Sequence, residues 1–277
     1  MPESPRCGHP PRRKRFGQHF LHDPAVISRI VQAVSPAPAD HLVEIGAGRG
    51  TLTRSLLQTR CSTLDAIEID RDLLALLHHE LAHERRLTLH AGDALRFDFG
   101  ALSRERSGPL RIVGNLPYNI STPLLFHLLK HRGAISDLHI MLQREVVARI
   151  AARPGGPDYG RLTVMLSPWL RAEPLFEVGP GAFQPPPAVW SAVARLTVHP
   201  EPAFAVSPHF GAVVAAAFAH RRKTLRNALR GLVSAGQIEA SGLDPGARPG
   251  TLPPEAFNAL AQKIVRSDPG AEADRAE

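Results

Sequence analysis

The feature that most constrains the fold of this chain is an alternation of short apolar runs with helical patterns between residues 42 and 142. Short apolar runs bounded by turn residues are typical of buried strands, and apolar residues at helical spacing predict helices. Strands that alternate with helices form a mostly parallel sheet covered by helices. The predicted strands are Leu42–Ile45, Leu64–Ile69, Leu87–His90, Leu110–Val113 and Leu138–Leu142, and the helices predicted among them are Leu52–Leu57, Leu73–Leu81 and Pro123–Leu129.

The last third of the chain has a different pattern. Arg161–Leu170 and Val189–Val198 predict two more strands, which we expect to form a late antiparallel pair. A proline-rich stretch at 200–208 ends the strand pattern, and the helices predicted beyond it are Phe210–Phe218, Thr224–Val233 and Pro254–Val265. We therefore predict an α/β domain at 16–199 and a small all-helical domain at 200–267. We expect a mobile basic arm at 1–15 and a disordered acidic tail at 268–277.

Composition limits the kinds of binding partner and the cellular compartment that we expect for this protein. The 277 residues carry a formal net charge of +7, which favours polyanionic partners. Basic residues concentrate in Arg12–Arg15 and again between Arg221 and Arg230. No apolar run is long enough to span a bilayer, so no membrane partner is expected. Cys7 and Cys61 cannot form a disulfide framework or a Cys-x-x-Cys metal site, so we predict a cytoplasmic protein without a metal.

The first chemical landmark is the segment Glu44-Ile-Gly46-Ala-Gly48-Arg-Gly50, between a predicted strand and a predicted helix. Glycines let the backbone turn sharply and approach a ligand near the free N–H groups of the helix. A dinucleotide-binding turn would have its third glycine where Thr51 stands. The segment instead resembles motif I of the S-adenosylmethionine-dependent methyltransferases, which implies that Gly46 and Gly48 bind that cofactor. A simple glycine-rich turn is the alternative.

Two acidic residues follow the next two predicted strands. We expect Glu68 at the carboxyl edge of the sheet, where its carboxylate can accept hydrogen bonds from both ribose hydroxyls. Asp70, two residues further on, is the alternative for this role. Asp93, after the third strand, can accept a hydrogen bond from an adenine amino group, although Asp is also a common turn residue.

Asn115-Leu116-Pro117-Tyr118, after the strand predicted at Leu110–Val113, resembles the Asn/Asp-Pro-Pro-Tyr motif of methyltransferases that act on amino groups. The amino nitrogen of adenine is a poor nucleophile because its lone pair is delocalised into the ring. Acceptors from the Asn115 side chain and the Leu116 carbonyl favour a pyramidal nitrogen with its lone pair directed at the methyl group. Pro117 fixes the turn, and Tyr118 offers a ring on which the base can stack.

Longer segments occur in the order in which one family has them. They are Arg15-Phe-Gly-Gln-His-Phe-Leu21, Asn115-Leu-Pro-Tyr-Asn-Ile-Ser-Thr-Pro123, Leu142-Gln-Arg-Glu-Val-Val147, Tyr159-Gly-Arg-Leu162, Phe183-Gln-Pro-Pro-Pro187 and Arg221-Arg-Lys-Thr-Leu-Arg-Asn227. From about Arg15 to Val265 the chain resembles the bacterial small-subunit (16S) ribosomal RNA adenine dimethyltransferases, the kasugamycin-susceptibility methylase family. This resemblance implies a Rossmann-like class I methyltransferase domain and a helical domain. It also implies a monomer that dimethylates two adjacent adenosines in a hairpin near the 3′ end of 16S ribosomal RNA, within the assembling small subunit.

The resemblance also implies roles for individual residues. The cofactor would be lined by His19, Leu21, Gly46, Glu68, Asp93 and Asn115. Phe183 would stack on the face of the target base opposite Tyr118, although an aromatic residue in such a loop is often a local hydrophobic plug. The predicted RNA-binding residues are Arg221, Arg222, Lys223 and Arg226. Arg49 stands where some relatives have a small or apolar residue, and the sequence provides no physical account of it.

Three alternative functions compete with this one. The sister family methylates an adenine of large-subunit (23S) ribosomal RNA and confers macrolide resistance, but it lacks the Arg221–Asn227 element. A nicotinamide-dependent dehydrogenase would need the missing third glycine. A catalytically silent ribosome-assembly factor would not need Glu68, Asp93, Asn115 and Tyr118 to be intact.

Overall fold

The computed structural model describes residues 19–220 and 222–264. The predicted arm at 1–15, Arg221 and the predicted tail at 268–277 lie outside these residues. The described chain separates into two compact units, one of residues 19–151 and 169–200 and the other of residues 152–168 and 201–264. The boundary expected from the sequence near residue 200 lies where the first unit ends. The segment 152–168, by contrast, belongs to the second unit, although we expected it within the α/β domain.

The first unit is an α/β structure built on a seven-stranded sheet and a separate pair of short strands. The strands of the unit are β1 Phe20–Leu21, β2 His41–Ile45, β3 Thr63–Glu68, β4 Leu87–Ala91, β5 Leu110–Asn115, β6 Ile135–Gln143, β7 Leu170–Val178, β8 Phe183–Gln184 and β9 Ser191–Val198. Its helices are α1 Pro24–Val34, α2 Thr51–Leu57, α3 Arg71–Leu81, α4 Phe99–Arg106, α5 Ser121–Lys130 and α6 Arg144–Ile150. The strands and helices predicted between residues 42 and 142 are confirmed, with their ends shifted by a few residues.

The order of the strands determines where a ligand can bind. The sheet has the order β4-β3-β2-β5-β6-β9-β7. The first five strands in this order run parallel to one another, and β9 runs antiparallel to both β6 and β7. Because β2 pairs with both β3 and β5, the order along the chain reverses at β2. Open α/β sheets bind ligands outside the carboxyl ends of their strands at such a point. The short strands β1 and β8 form a separate antiparallel pair.

Helix α1 shows how the sequence produces these elements. Asp23 caps the helix, because its carboxylate accepts hydrogen bonds from the backbone N–H groups of Ala25 and Val26. The apolar side chains of Ile27, Ile30 and Val34 recur at helical spacing and are buried in the core of the first unit. Each such side chain contributes about 1.5–3 kcal/mol on burial, so this face holds the helix in place.

The prediction of a strand at Arg161–Leu170 was wrong. Arg161–Leu166 is a helix, and the strand that pairs with β9 is β7, which begins at Leu170. A short, continuously apolar run fits a buried helix as well as a buried strand, and the pattern alone did not separate them. The strand β7 was not predicted; it contains Pro174, and a proline argues against a central strand. It lies at the edge of the sheet and has a register shift between Pro174 and Phe176, where the ladder tolerates a residue without an N–H group.

The second unit is helical, as predicted. Its helices are α7 Arg161–Leu166, α8 Phe210–Ala219, α9 Leu225–Ala228, α10 Ala235–Glu239 and α11 Pro254–Gln262, with one apolar core among them. α9 is shorter than the predicted helix Thr224–Val233, and Gly231 follows it with a φ of +87° that a helix does not continue. In neither unit does a described helix combine the length and the apolar character needed to cross a bilayer.

Candidate active site

A cleft opens at the carboxyl ends of β2, β3, β4 and β5 in the first unit. It is lined by the segments that follow these strands and by the chain around β1. The predicted cofactor-binding residues all line this cleft, namely His19, Leu21, Gly46, Gly48, Glu68, Asp93 and Asn115. Leu116, Pro117 and Tyr118 line it as well. The parallel register therefore brings together residues that are far apart in the sequence.

The glycine-rich turn forms one wall of the cleft. Gly46, Gly48 and Gly50 have φ angles of +77°, +58° and +74°, a region that favours glycine. A Cβ atom on Gly48 would lie 3.3 Å from Cδ1 of Phe20, so a side chain there would also crowd the neighbouring ring. The turn needs these glycines both for its backbone conformation and for its close packing.

Glu68 is held at the carboxyl edge of the sheet by backbone donors. Its Oε2 accepts a hydrogen bond from the N–H of Gly48 at 2.8 Å, and its Oε1 accepts one from the N–H of Asp70 at 2.9 Å. Burial raises the pKa of Glu68, and the backbone donors act against this rise. The carboxylate has about four acceptor positions, so it can still accept a hydrogen bond from a ribose hydroxyl. Asp70, the alternative, caps α3 and does not line the cleft.

Glu44 is a cleft residue that was predicted only as part of the glycine-rich motif. It lines the cleft and is 2 % exposed, and its Oε2 has no hydrogen-bond partner among the described residues. Burial raises the pKa of Glu44 to about 8, and the nearby negative charge of Glu68 acts in the same direction. A protonated carboxyl group in this place can accept a hydrogen bond from a ligand, and a bound cationic group would favour its ionised form. Its place at the end of a buried strand was the signal that could have identified it.

Asp93 and Ile69 form a part of the cleft that suits a flat heterocycle. Oδ1 of Asp93 accepts a hydrogen bond from the N–H of Leu95 at 2.9 Å, which orients the carboxylate. Ile69 lines the cleft and is 46 % exposed, which is unusual for a large apolar side chain directly after a buried strand. An apolar surface beside an acceptor matches the face and the amino group of adenine. Ile69 was not predicted from the sequence, although it directly follows Glu68, the residue expected to bind the ribose.

Asn115 is oriented by the backbone of the chain around β1. Its Nδ2 donates a hydrogen bond to the carbonyl oxygen of His19 at 3.0 Å, which leaves Oδ1 as the acceptor for a ligand. His19 is itself fixed, because its Nδ1–H donates to the carbonyl oxygen of Pro185 at 2.9 Å. The N–H of Leu116 donates to the carbonyl oxygen of Met141 in β6 at 3.1 Å. The motif is therefore attached on two sides before any substrate binds.

Tyr118 is held by both its ring and its hydroxyl. The ring stacks on that of His19 with centroids 5.9 Å apart, and Oη lies 2.6 Å from Oγ of Ser191 at the start of β9. Burial raises the pKa of Tyr118, so the hydroxyl stays protonated at neutral pH. A ring with a fixed orientation offers a stacking surface at little further cost in entropy.

The structure does not bring Phe183 to the cleft. Phe183 is 2 % exposed, packs in the apolar core of the first unit and is absent from the cleft lining. It lies opposite Leu21 in the pairing of β1 with β8, and this pairing keeps the ring inside the core. Its position matches the alternative of a local hydrophobic plug, and its role as a second stacking ring stays a prediction.

The predicted RNA-binding residues belong to the second unit. Arg222, Lys223 and Arg226 are exposed, whereas Arg221 lies outside the described residues. We expected these basic residues to lie along a helix of several turns. The helix α9 is instead a single short turn, Leu225–Ala228. Leu225 and Leu229 are fully buried, and Arg226 between them lies at the surface.

The cleft residues fit S-adenosylmethionine. The turn admits a close approach of the ligand, Glu68 offers acceptors for a ribose, and Asp93 with Ile69 suits adenine. The buried Oε2 of Glu44, which has no partner among the described residues, suits a cationic group. Nowhere in the described residues do three or more His, Cys, Asp or Glu side chains gather as they would around a metal ion. The sheet order and this cleft define a class I S-adenosylmethionine-dependent methyltransferase.

Comparison with known proteins identifies the family within this class. Residues 11–265 match the ribosomal RNA adenine dimethylase family, and the chain belongs to it. It is 54% identical over 258 residues to the ribosomal RNA small subunit methyltransferase A of Nitrosococcus oceani, covering 92% of this chain and 97% of the relative. The protein of the same name from Pseudomonas aeruginosa is 53% identical over 260 residues, covering 91% and 94% of the two chains.

Solved structures agree with this assignment. The crystal structure of the 23S rRNA methyltransferase ErmE is 27% identical to this chain with a TM-score of 0.69, covering 88% of this chain and 99% of that one. A dimethyladenosine transferase from Plasmodium falciparum has a TM-score of 0.73 at 23% identity, covering 87% and 96%, and shows the shared fold. The expected fold class, cofactor and enzyme class are thereby confirmed.

Proposed function

We propose that this enzyme dimethylates the exocyclic amino groups of two adjacent adenosines in a hairpin near the 3′ end of 16S ribosomal RNA. The single observation that carries the proposal is the oriented Asn115 amide, whose Oδ1 is left as an acceptor beside the fixed ring of Tyr118. The choice of the small subunit is supported by relatives more than 50% identical that are named ribosomal RNA small subunit methyltransferase A.

The residues of the cleft activate a poor nucleophile by positioning it. S-adenosylmethionine supplies an electrophilic methyl group on a sulfonium. Asn115 Oδ1 and the Leu116 carbonyl accept hydrogen bonds from the amino group, so that its lone pair leaves the ring and points at the methyl carbon. Tyr118 stacks on the base and holds this orientation. The rate then rises through alignment and preorganised acceptors. The alkylated nitrogen is acidic and releases its proton without a strong general base.

A different set of residues binds the RNA backbone in this proposal. Arg222, Lys223 and Arg226 contact phosphates, which position the RNA without selecting its sequence. Selection then comes from the shape of the hairpin within an assembling small subunit.

The enzyme acts as a monomer in the cytoplasm, where small subunits assemble in bacteria. Phe183 would join Tyr118 at the base only if its side chain left the core.

The deciding experiment measures transfer of labelled methyl groups into small ribosomal subunits that lack the modification, followed by nucleoside analysis. Dimethyladenosine at two adjacent positions of 16S ribosomal RNA is the expected result. Large subunits serve as the matched control substrate, since the solved relative ErmE is a 23S rRNA methyltransferase. Transfer into large-subunit RNA alone contradicts the proposed substrate. Binding to small subunits without transfer to any RNA contradicts the proposed enzymatic role.

A further inference from the structure

Arg49 is the cleft residue that neither the sequence nor the methyl-transfer mechanism explains. The charged side chains that line the cleft are Glu44, Glu68, Asp93 and Arg49. Among the described lining residues, Arg49 therefore carries the one guanidinium, in the company of three carboxyl groups.

The guanidinium of Arg49 is supported by a ring, but one of its donors is unsatisfied among the described residues. Its Cζ lies 4.4 Å from the centroid of the Phe20 ring, a cation–π arrangement. Its Nε is buried and has no hydrogen-bond partner in the part of the chain that the structure describes. Buried donors are almost always satisfied in folded proteins, so an unsatisfied one at a ligand cleft points to the ligand.

The neighbouring Arg54 differs from Arg49 in the partners that its guanidinium has. Arg54, one turn along α2, forms an ion pair with Glu80 and donates from Nη1 to the carbonyl oxygen of Arg49 at 2.9 Å. Arg54 therefore braces the backbone of the glycine-rich turn, whereas no ion-pair partner of Arg49 occurs in the described ranges 19–220 and 222–264. The two arginines of this turn have different roles: one supports the loop and the other faces the cleft.

The charges of the cofactor identify the complementary group. S-adenosylmethionine carries a sulfonium and an ammonium, both cationic, and one carboxylate. Its cationic and hydroxyl groups match the acidic residues of the cleft, and its carboxylate requires donors. We propose that Arg49 binds the carboxylate of the methionyl part of S-adenosylmethionine through a charge-assisted hydrogen bond, with Phe20 as the support that orients the guanidinium. This inference rests on the cofactor and does not depend on which RNA is methylated.

The test compares two ligands that differ by this carboxylate alone. Affinities of S-adenosylmethionine and decarboxylated S-adenosylmethionine are measured by calorimetry for the wild type and for Arg49→Met, which keeps an apolar stem against Phe20. The variant should bind S-adenosylmethionine about ten- to a hundredfold more weakly, the range for one hydrogen bond between charged groups. Its affinity for the decarboxylated ligand should be unchanged or higher. Arg49→Lys should recover part of the lost affinity.

Two controls keep the outcome interpretable. Arg60→Met removes an exposed arginine outside the cleft and should leave both affinities unchanged. Thermal unfolding of each variant checks that the fold is intact. Equal losses for both ligands would overturn the proposal, because they would mean that Arg49 acts only by packing on Phe20. Unchanged affinities for both ligands would overturn it as well. A wild type that binds neither ligand would instead contradict the cofactor assignment itself.

Discussion

At the scale of single residues, the amide of Asn115 separates catalysis from binding. Its Nδ2 donates to the His19 carbonyl, which leaves Oδ1 as the acceptor for the reacting amino group. We predict that Asn115→Ala abolishes methyl transfer while RNA affinity changes less than about threefold, since the hydrogen bond that is removed strengthens mainly in the transition state. Single-turnover kinetics and equilibrium binding, measured on the same preparation, check this.

Asn115→Asp serves as the matched variant. It keeps an acceptor of the same geometry but replaces the donor Nδ2 with an oxygen that faces the His19 carbonyl. We expect some transfer to survive, with a loss that grows as the carboxylate ionises. Equal losses of binding and turnover in Asn115→Ala would contradict the role assigned to the amide.

Glu44 predicts a specific dependence of stability on pH. The folded chain raises the pKa of this carboxyl group to about 8, mainly by burial, whereas the pKa in the unfolded chain lies near the ordinary value of 4.5. Between these values the folded state holds a proton that the unfolded state has released, so rising pH destabilises the folded state. Glu44→Gln lacks this proton equilibrium. We predict that the variant gains stability over the wild type from pH 5 to pH 8, by an amount on the order of a few kcal/mol.

Chemical denaturation of both proteins at several pH values measures this difference. The pKa of Glu68 is also raised by burial, but Glu68 is present in both proteins and its contribution cancels to first order. Glu68→Gln therefore provides a control with its own, smaller pH dependence. A stability difference between wild type and Glu44→Gln that stays constant with pH would show that Glu44 is ionised in the folded protein.

Sequence patterns predicted those site residues whose place in the cleft depends on their position at the end of a strand. Glu68, Asp93 and Asn115 each follow or end a parallel strand, and parallel strands place such residues along one edge. Phe183 shows the limit of this reasoning, because its burial depends on the pairing of β1 with β8 across more than 150 residues of sequence. Arg49 shows another limit, since no role can be predicted for a cation near a glycine-rich turn until the residues around it, such as Phe20, are known.

At the scale of elements, the close approach of β5 to β2 supports the site. Gly114 precedes Asn115, and a Cβ atom there would lie 2.5 Å from the backbone oxygen of Ile45. Backbone cannot yield as a flexible side chain does, so Gly114→Ala must separate the two strands at the mouth of the cleft. We predict a loss of stability of about 1–3 kcal/mol or more, together with weaker cofactor binding, as measured by denaturation and calorimetry.

Gly133→Ala is the matched control, because a Cβ atom on Gly133 would meet nothing within 4 Å. The control should have the stability of the wild type or slightly more, since alanine restricts the unfolded chain. If Gly114→Ala behaved like Gly133→Ala, the close approach of β5 to β2 would not constrain the site.

The errors in element assignment share a physical origin. α7 and β7 both depend on packing against segments far along the chain, α7 in the core of the second unit and β7 at the edge of the sheet beside β9. A run of apolar residues indicates that a segment is buried but not which partner buries it. Pro174 is unfavourable in a central strand, and the edge position of β7 is what makes it acceptable.

At the scale of the whole molecule, the second unit is not one continuous segment. Residues 152–168 join residues 201–264, and Oη of Tyr159 donates a hydrogen bond to the carbonyl oxygen of Leu252 at 2.7 Å. Val164 of α7 and Phe257 of α11 belong to the same apolar core. Local composition carries no sign of such packing, which is why the sequence placed residues 152–168 in the α/β domain. The RNA surface proposed for this unit must therefore be tested in the intact chain.

The net charge of +7 predicts that RNA binding depends strongly on salt, and the proposed RNA surface predicts that the basic residues around α9 account for part of that dependence. We predict that reversing Arg222, Lys223 and Arg226 to glutamate weakens RNA binding and flattens its salt dependence. The slope of log K against log salt should fall by about 0.7–0.9 for each phosphate that the variant no longer neutralises. Cofactor affinity should not change, because none of the three residues lines the cleft. Binding to small subunits at several salt concentrations measures the slope.

The control separates local phosphate binding from overall charge. Reversing Arg60, Arg85 and Arg104, exposed residues of the first unit, changes the net charge by the same amount. If the residues around α9 bind phosphates, the control lowers the association rate but keeps most of the slope, because long-range attraction acts on encounter more than on the bound complex. An equal flattening in both triple variants would contradict a local RNA surface at α9. An unchanged slope in the α9 variant would assign the phosphate-binding residues to another part of the protein.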